Sequence, residues 1–253
     1  MNKVLEFKGV SKSYGGYKVL EDLSFSIEKG SIAALIGETG SGKSTIARLA
    51  VGLERPDKGE ILLMGKSVGL LKKRGFCDCA SIQYIFQDAY GALEYGYRVE
   101  QILSEPIRIC KRRGREEIYS PEQALSMAGL GDYEYWKGMK AAALSGGQRQ
   151  KLSIARALIP KPDILITDES TAMLDTKSSQ EVFEILREIC IGYGLSVIAI
   201  THQRHIIDNS CDKVMVLRGG RIIEEGPSDI VMKFPSEDYA KELIACMNIF
   251  VGV

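Results

Sequence analysis

Residues 31–45 read SIAALIGETGSGKST, and the change of texture at Gly37 decides the fold. Ile32 to Ile36 form a continuous apolar run, the pattern of a short strand covered on both faces. From Gly37 to Ser44 the chain matches G-x-x-x-x-G-K-[ST]. Placed between a strand and a helix start, such a loop turns successive backbone N–H groups toward an anion such as phosphate. The Lys43 ammonium would reach the terminal phosphates, and the Ser44 hydroxyl can ligate magnesium. By composition, a chance match somewhere in the chain is on the order of a few per cent. The strand-to-helix context lowers that further.

Outward from this loop the pattern is that of an α/β protein. Residues 3–10 and 17–27 read as strands, with Leu23, Phe25 and Ile27 alternating with Ser24 and Ser26. A helix is expected from about Lys43 to Leu53, then strands at GEILLMG and SIQYIFQD. From about Ala89 to Ala143 no strong strand is visible. VEQILSEPIRI reads as helical until Pro106. SPEQALSMAGL opens on Ser120 with Pro121 and Gln123, a capping box. The core resumes with DILITD and SVIAITH as buried strands, with helical spacing at Val182, Ile185, Leu186 and Ile189 between them. KVMVLRGGRIIEEG reads as a hairpin about Gly219-Gly220. DYAKELIACM is an amphipathic tail helix.

The totals exclude several classes. The chain has 253 residues, 45% hydrophobic and 26% charged, which suits one large soluble α/β domain. Lys+Arg and Asp+Glu are both 33, so no nucleic-acid partner is expected. The first residues lack the apolar region of a signal peptide, and no apolar run is long enough to span a bilayer. The six cysteines are scattered, with only Cys77 and Cys79 close, which reads as reduced thiols and not as a zinc site.

Two further stretches carry chemistry. ILITDE at 164–169 is a buried strand ending in two acids. Asp168 would hold magnesium, and Glu169 would polarise the attacking water. LSGGQRQ at 144–150 places Ser145 and Gln148 as a capping box. Helix starts favour acids, yet these first turns carry Arg149 and Lys151 and no acid. Two adjacent glycines also weaken a helix. The stretch fits a second anion site, although plain capping remains open on these residues alone.

The set GETGSGKST, IFQD, LSGGQRQ, ILITDES, TAMLD and ITHQ resembles, in order and spacing, the ATP-binding subunits of ABC transporters. The resemblance spans nearly the whole chain. It implies a P-loop NTPase (RecA-like) α/β core over 1–88 and 146–253, with an N-terminal antiparallel β-subdomain and an α-helical subdomain inserted at about 89–145. It implies ATP and Mg2+ as cofactors, and a head-to-tail dimer in which ATP lies between the P-loop of one subunit and the LSGGQ of the other. Gly37, Glu38, Thr39, Gly40, Ser41, Gly42, Lys43, Ser44 and Thr45 would then cradle the phosphates. Ser145, Gly146, Gly147 and Gln148 would grip the partner's γ-phosphate. Tyr14 would stack on adenine, and Asp175 would belong to the loop crossing the interface. Gln87 would touch magnesium or water and sense the membrane partner, and His202 would contact the γ-phosphate.

FQDAYGALEYGYRVEQILSEPI resembles the dipeptide, oligopeptide and nickel importer branch. That branch implies a second ATP-binding subunit, membrane permease subunits, an external substrate-binding protein acting indirectly, and a cytoplasmic place on the inner face of the cell membrane. The cargo would be a peptide, nickel or a metal chelate. Thr167, Ser170 and Gln203 depart from the family pattern without removing a reacting group. Two other readings are a soluble ABC ATPase of DNA repair or translation, and a P-loop kinase. The first usually shows a second ATPase domain or a long coiled-coil insertion. The second leaves Ser145–Gln148 and His202 without a role.

Overall fold

In chain order the described residues form β1 (Lys3–Tyr14), β2 (Tyr17–Glu28), β3 (Ile32–Ile36), α1 (Lys43–Val51), β4 (Lys58–Leu63), β5 (Lys66–Ser67), α2 (Phe76–Ser81), β6 (Ile82–Ile85), α3 (Val99–Arg112), α4 (Pro121–Met127), α5 (Tyr133–Trp136), a 3-10 turn at Ala141–Ala143, α6 (Gly146–Leu158), β7 (Ile164–Asp168), α7 (Thr176–Tyr193), β8 (Ser196–Ile200), α8 (Arg204–Ser210), β9 (Lys213–Arg218), β10 (Arg221–Pro227), α9 (Ser228–Val231) and α10 (Asp238–Ile249). The structure is a computed structural model that describes residues 3–68, 75–86, 93 and 96–249, the side chains of Cys77, Asn248 and Ile249 excepted.

The strands form two sheets. One is four-stranded, in the order β2-β1-β4-β5, and its pairs are antiparallel. The other is six-stranded, in the order β10-β9-β3-β8-β7-β6. Within it β9, β3, β8, β7 and β6 pair in parallel, and only β10 is antiparallel. β3, β7 and β8 are buried at every position, as strands covered on both faces must be.

Side-chain alternation divides the core between the two faces of this sheet. Ile32, Ala34, Ile36, Leu165, Val197, Ala199, Val214 and Val216 face a cluster built with α3, α6, α7 and α10. Ala33, Leu35, Ile164, Ile166, Ile198, Ile200, Met215 and Leu217 face the other, built with β1, β2, β4 and α1. Each valine, leucine, isoleucine or methionine side chain removed from water in this way contributes about 1.5–3 kcal/mol before entropy is counted. The result is a three-layer α/β stack: antiparallel sheet with α1, mixed sheet, helices.

Between β6 and α6 the described residues include helices and no named strand. The capping box at Ser120 forms as the sequence indicates, with Ser120 Oγ accepting from Gln123 N at 3.2 Å. One expectation is corrected. The helix does not stop at Pro106 but runs on to Arg112. Val99, Ile102, Leu103 and Cys110 form one buried stripe across the proline. That packing outweighs the lost N–H and the ring's clash with the preceding turn.

Candidate functional site

The loop after β3 is shaped by what surrounds it. A Cβ on Gly37 would overlap the Leu217 carbonyl of β9, so only glycine lets the chain pass there. Gly42 caps α1 with φ 111°, and a Cβ there would lie 2.7 Å from Leu20 Cδ2 of β2. α1 has neither a side-chain cap nor an acid in its first turn, so its open N–H groups remain available to an anion. Lys43 Nζ donates to Gly37 O at 2.6 Å and Glu38 O at 2.8 Å. Burial lowers the lysine's pKa, while the charges of Glu169, Asp168 and Glu38 oppose that shift. A buried ammonium on two neutral carbonyls is a fitting partner for phosphate oxygens. Ser41 Oγ, also buried, has no hydrogen-bond partner among the described residues. Ser44 is exposed.

β7 and β8 bring the acids to the same sheet end as the loop. Asp168 pairs in register with Ile200 and is 8% exposed. Tyr84 of β6 donates its hydroxyl to Asp168 Oδ2 at 2.7 Å. Burial first, and then this bond, push the Tyr84 hydroxyl well above its usual range, so it stays a donor. Glu169 has φ 47°, a left-handed conformation that costs a non-glycine residue energy. Its N–H donates to Ile200 O and its carbonyl accepts from Ala172 N, both at 2.9 Å. His202 Nε2 lies 3.0 Å from Glu169 Oε1. Gln203 ties the neighbouring turns together: Thr171 Oγ1 donates to its Oε1 at 2.9 Å, and its Nε2 donates to Thr171 O at 3.3 Å.

For magnesium, Ser44 and Asp168 are present as hard oxygen donors, with phosphate oxygens left to complete the set. Their chemistry fits that ion. Among the described residues no group of three or more His, Cys, Asp or Glu forms a self-sufficient metal site. Gln87, also expected to touch the metal or water, lies outside the described residues.

The second glycine stretch sits elsewhere. Ser145 caps α6, accepting from Gln148 N at 3.3 Å, while Gln148 Oε1 accepts from Ser145 N at 2.9 Å. Gly147, Gln148 and Lys151 line a cavity of about 300 Å3 with Leu130, Trp136 and Ser178, and no residue of 37–45 lines it. Lys151 Nζ is 3.5 Å from Glu181 of α7, so its charge is answered within the chain. Tyr14, at the end of β1, is 38% exposed and has Lys12 Nζ 5.0 Å from its ring centre.

Asp175 caps α7. Oδ1 accepts from Ser178 N at 2.9 Å, and Oδ2 accepts from Ser178 Oγ at 2.7 Å. These bonds hold its carboxyl below the usual aspartate value. A lowered folded value stabilises above the unfolded value and loses that effect as pH falls through the folded one. Asp175→Ala should therefore melt below the parent at neutral pH. The gap should shrink once pH drops below about 4. Thermal melts over that range check it.

A glycine loop at the carboxyl edge of the parallel strands, with its lysine in the field of two acids at the end of β7, two strands away, defines a P-loop nucleotide-binding ATPase module. A family model described as ABC transporter matches residues 20–172, and the chain belongs to that family. The methionine import ATP-binding protein MetN of Mesorhizobium japonicum is 33% identical over 97% of this chain and 66% of its own length. The dipeptide transport ATP-binding protein DppF of Escherichia coli is 35% identical over 90% of this chain and 68% of its own length. The chain thus spans about two thirds of each. Among solved structures, CbiO1 of Clostridium perfringens, part of the ABC transporter complex CbiONQ, superposes with TM-score 0.79 at 25% identity, covering 98% of this chain and 100% of that one. An ATP-binding cassette in its ADP conformation shares the fold, with TM-score 0.80 at 24% identity and 100% coverage of both chains.

Proposed function

We propose that this chain is the ATP-hydrolysing motor of an ABC importer. In this reading each ATP is shared between the Lys43 loop of one cassette and the Ser145 turn of a second. The second cassette is another copy or a related chain. One observation carries the reading. The Ser145 turn opens a helix with no acid in its first turn, yet its cavity shares no lining residue with the Lys43 loop. In this reading it would be half of a site that a second cassette completes.

Residues 37–45 would cradle the triphosphate of the chain's own ATP, with Tyr14 against the adenine. Ser44 and Asp168 would hold Mg2+, with Gln87 nearby, and the ion would neutralise charge developing on the phosphates. Glu169 would take the proton of the attacking water, and His202 would orient it against the γ-phosphate. Ser145, Gly146, Gly147 and Gln148 would supply donors from the opposite chain, with Asp175 beside them at the interface.

Residues 89–145 would act as a helical subdomain that relays closure to membrane permease subunits. Their docking place in this reading is a groove of about 680 Å3, lined by Phe76, Phe86, Pro106, Ile109 and Arg156. Among the described residues no helix is long and apolar enough to cross a membrane. In this reading the chain is a peripheral subunit on the membrane's inner face. The relatives' names support an amino-acid or short-peptide cargo. In this reading an external binding protein would deliver it. A nickel or metal-chelate cargo draws no support from those names, and a DNA-repair or translation ATPase is not favoured.

Composite sites make turnover depend on pairing. Phosphate release per chain should rise with chain concentration, and adding membrane subunits that co-purify should raise it again. A rate per chain independent of concentration and of any partner would overturn the shared-site reading.

A further inference from the structure

The last helix reaches the phosphate loop. Tyr239, in the first turn of α10, is 6% exposed, and its hydroxyl oxygen accepts from Glu38 N at 3.1 Å. The carbonyl of that same peptide unit, Gly37 O, accepts from Lys43 Nζ at 2.6 Å. One peptide plane is thus held at both ends. A peptide group is rigid and turns as a body, so two opposed anchors fix its orientation.

The tyrosine is itself well braced. Arg218 Cζ lies 4.5 Å from the ring centre, a cation–π contact. Ala240, Ile244 and Met247 bury the rest of α10 in the core. Leu217, whose carbonyl crowds Gly37, precedes Arg218 at the end of β9. The entry to the loop is therefore clamped from both β9 and α10.

Nucleotide changes the balance at this plane. In the ATP reading of the loop, phosphate would draw the Lys43 ammonium away from the Gly37 and Glu38 carbonyls that now accept from it. Tyr239 is then the remaining side-chain anchor of the two. We propose that Tyr239 is a positioning residue for nucleotide binding: it keeps the Gly37–Glu38 peptide oriented while Lys43 moves to phosphate, and so couples the C-terminal helix to ATP affinity. This rests on the ATP reading of the loop given above. Coupling is reciprocal, so bound nucleotide also steadies α10.

Tyr239→Phe tests it, because the ring and its Arg218 contact are kept. Fluorescent mant-ATP and mant-ADP should both bind about fivefold more weakly, the scale of one lost hydrogen bond. The KM for ATP should rise alike, with kcat at saturation within about twofold of the parent. In the parent, nucleotide should slow amide hydrogen exchange in α10, and Tyr239→Phe should lose that protection. Parent-like affinity, or a fall in kcat at unchanged KM, overturns the proposal. Ile244→Val, on the same helix, controls for stability. Parent affinity in that variant supports the clamp, and a fivefold loss there overturns it. Lys43→Ala separates the layers. If it binds mant-ATP as the parent does, the loop reading falls and the clamp with it. If it fails to bind while Tyr239→Phe is parent-like, the clamp alone falls.

Discussion

Glu169→Gln is expected to bind ATP as the parent does and to hydrolyse it about 10²- to 10⁴-fold more slowly, the usual worth of a positioned general base. The amide matches the carboxylate in size, so the strained φ of 47° and the backbone bonds to Ile200 and Ala172 are kept. What is lost is the capacity to take a proton from water. His202 Nε2, 3.0 Å from Oε1 in the parent, can still bond the amide oxygen, so its placement survives. Binding measured with mant-ATP should be unchanged because, in the proposed reading, Lys43 and not Glu169 would reach the phosphates. With hydrolysis blocked, ATP should trap paired cassettes, visible as a shift to twice the mass on size exclusion. Hydrolysis by Glu169→Gln at the parent rate would remove the base from this position and leave its strained backbone without a reason.

That strain was not visible in ILITDE, although the strand and its two acids were. Apolar runs such as Ile32–Ile36 and Ile164–Asp168 are legible because a strand covered on both faces admits few other residues. The helix starts at Ser120 and Ser145 are legible because capping is local chemistry. Contacts between distant segments are not. Tyr84 meets Asp168 across two neighbouring strands, and Tyr239 meets Glu38 across most of the chain. A buried tyrosine needs a partner for its hydroxyl, which is the only hint such positions give in advance. Lys151 shows the opposite case. Its charge near a helix start suggests an external anion, but Glu181, a helix away, answers it. In the sequence Pro106 shows only its local cost to a helix, and the buried stripe from Val99 to Cys110 overrides that cost.

The Ser145 turn therefore has to stand on something other than its flanking charges, and Gly147→Asp supplies the test. Gly147 sits in the first turn of α6, which holds no acid. The nearest atom to an added Cβ is Ser178 Cβ at 3.7 Å, an ordinary contact, so the fold does not demand glycine here. For the helix alone aspartate is the better residue. It gains about 0.3–1 kcal/mol from the macrodipole, and glycine's weak helix propensity is relieved as well. The Asp175 carboxylate on Ser178 and Glu181 in the same cavity oppose that gain, so the variant should melt close to the parent and bind mant-ATP at its own Lys43 loop unchanged. If the shared site is as proposed, turnover should nevertheless fall at least about 10²-fold, because a carboxylate would then face the γ-phosphate that the opposite chain presents. A stable variant that turns over like the parent would reduce the motif to a helix cap. The stronger form mixes this variant with Lys43→Ala, each inactive alone. Where copies of the chain pair, a mixed dimer joins the intact Lys43 loop of one to the intact Ser145 turn of the other. Activity recovered on mixing requires that the two meet at one nucleotide, since neither chain carries both.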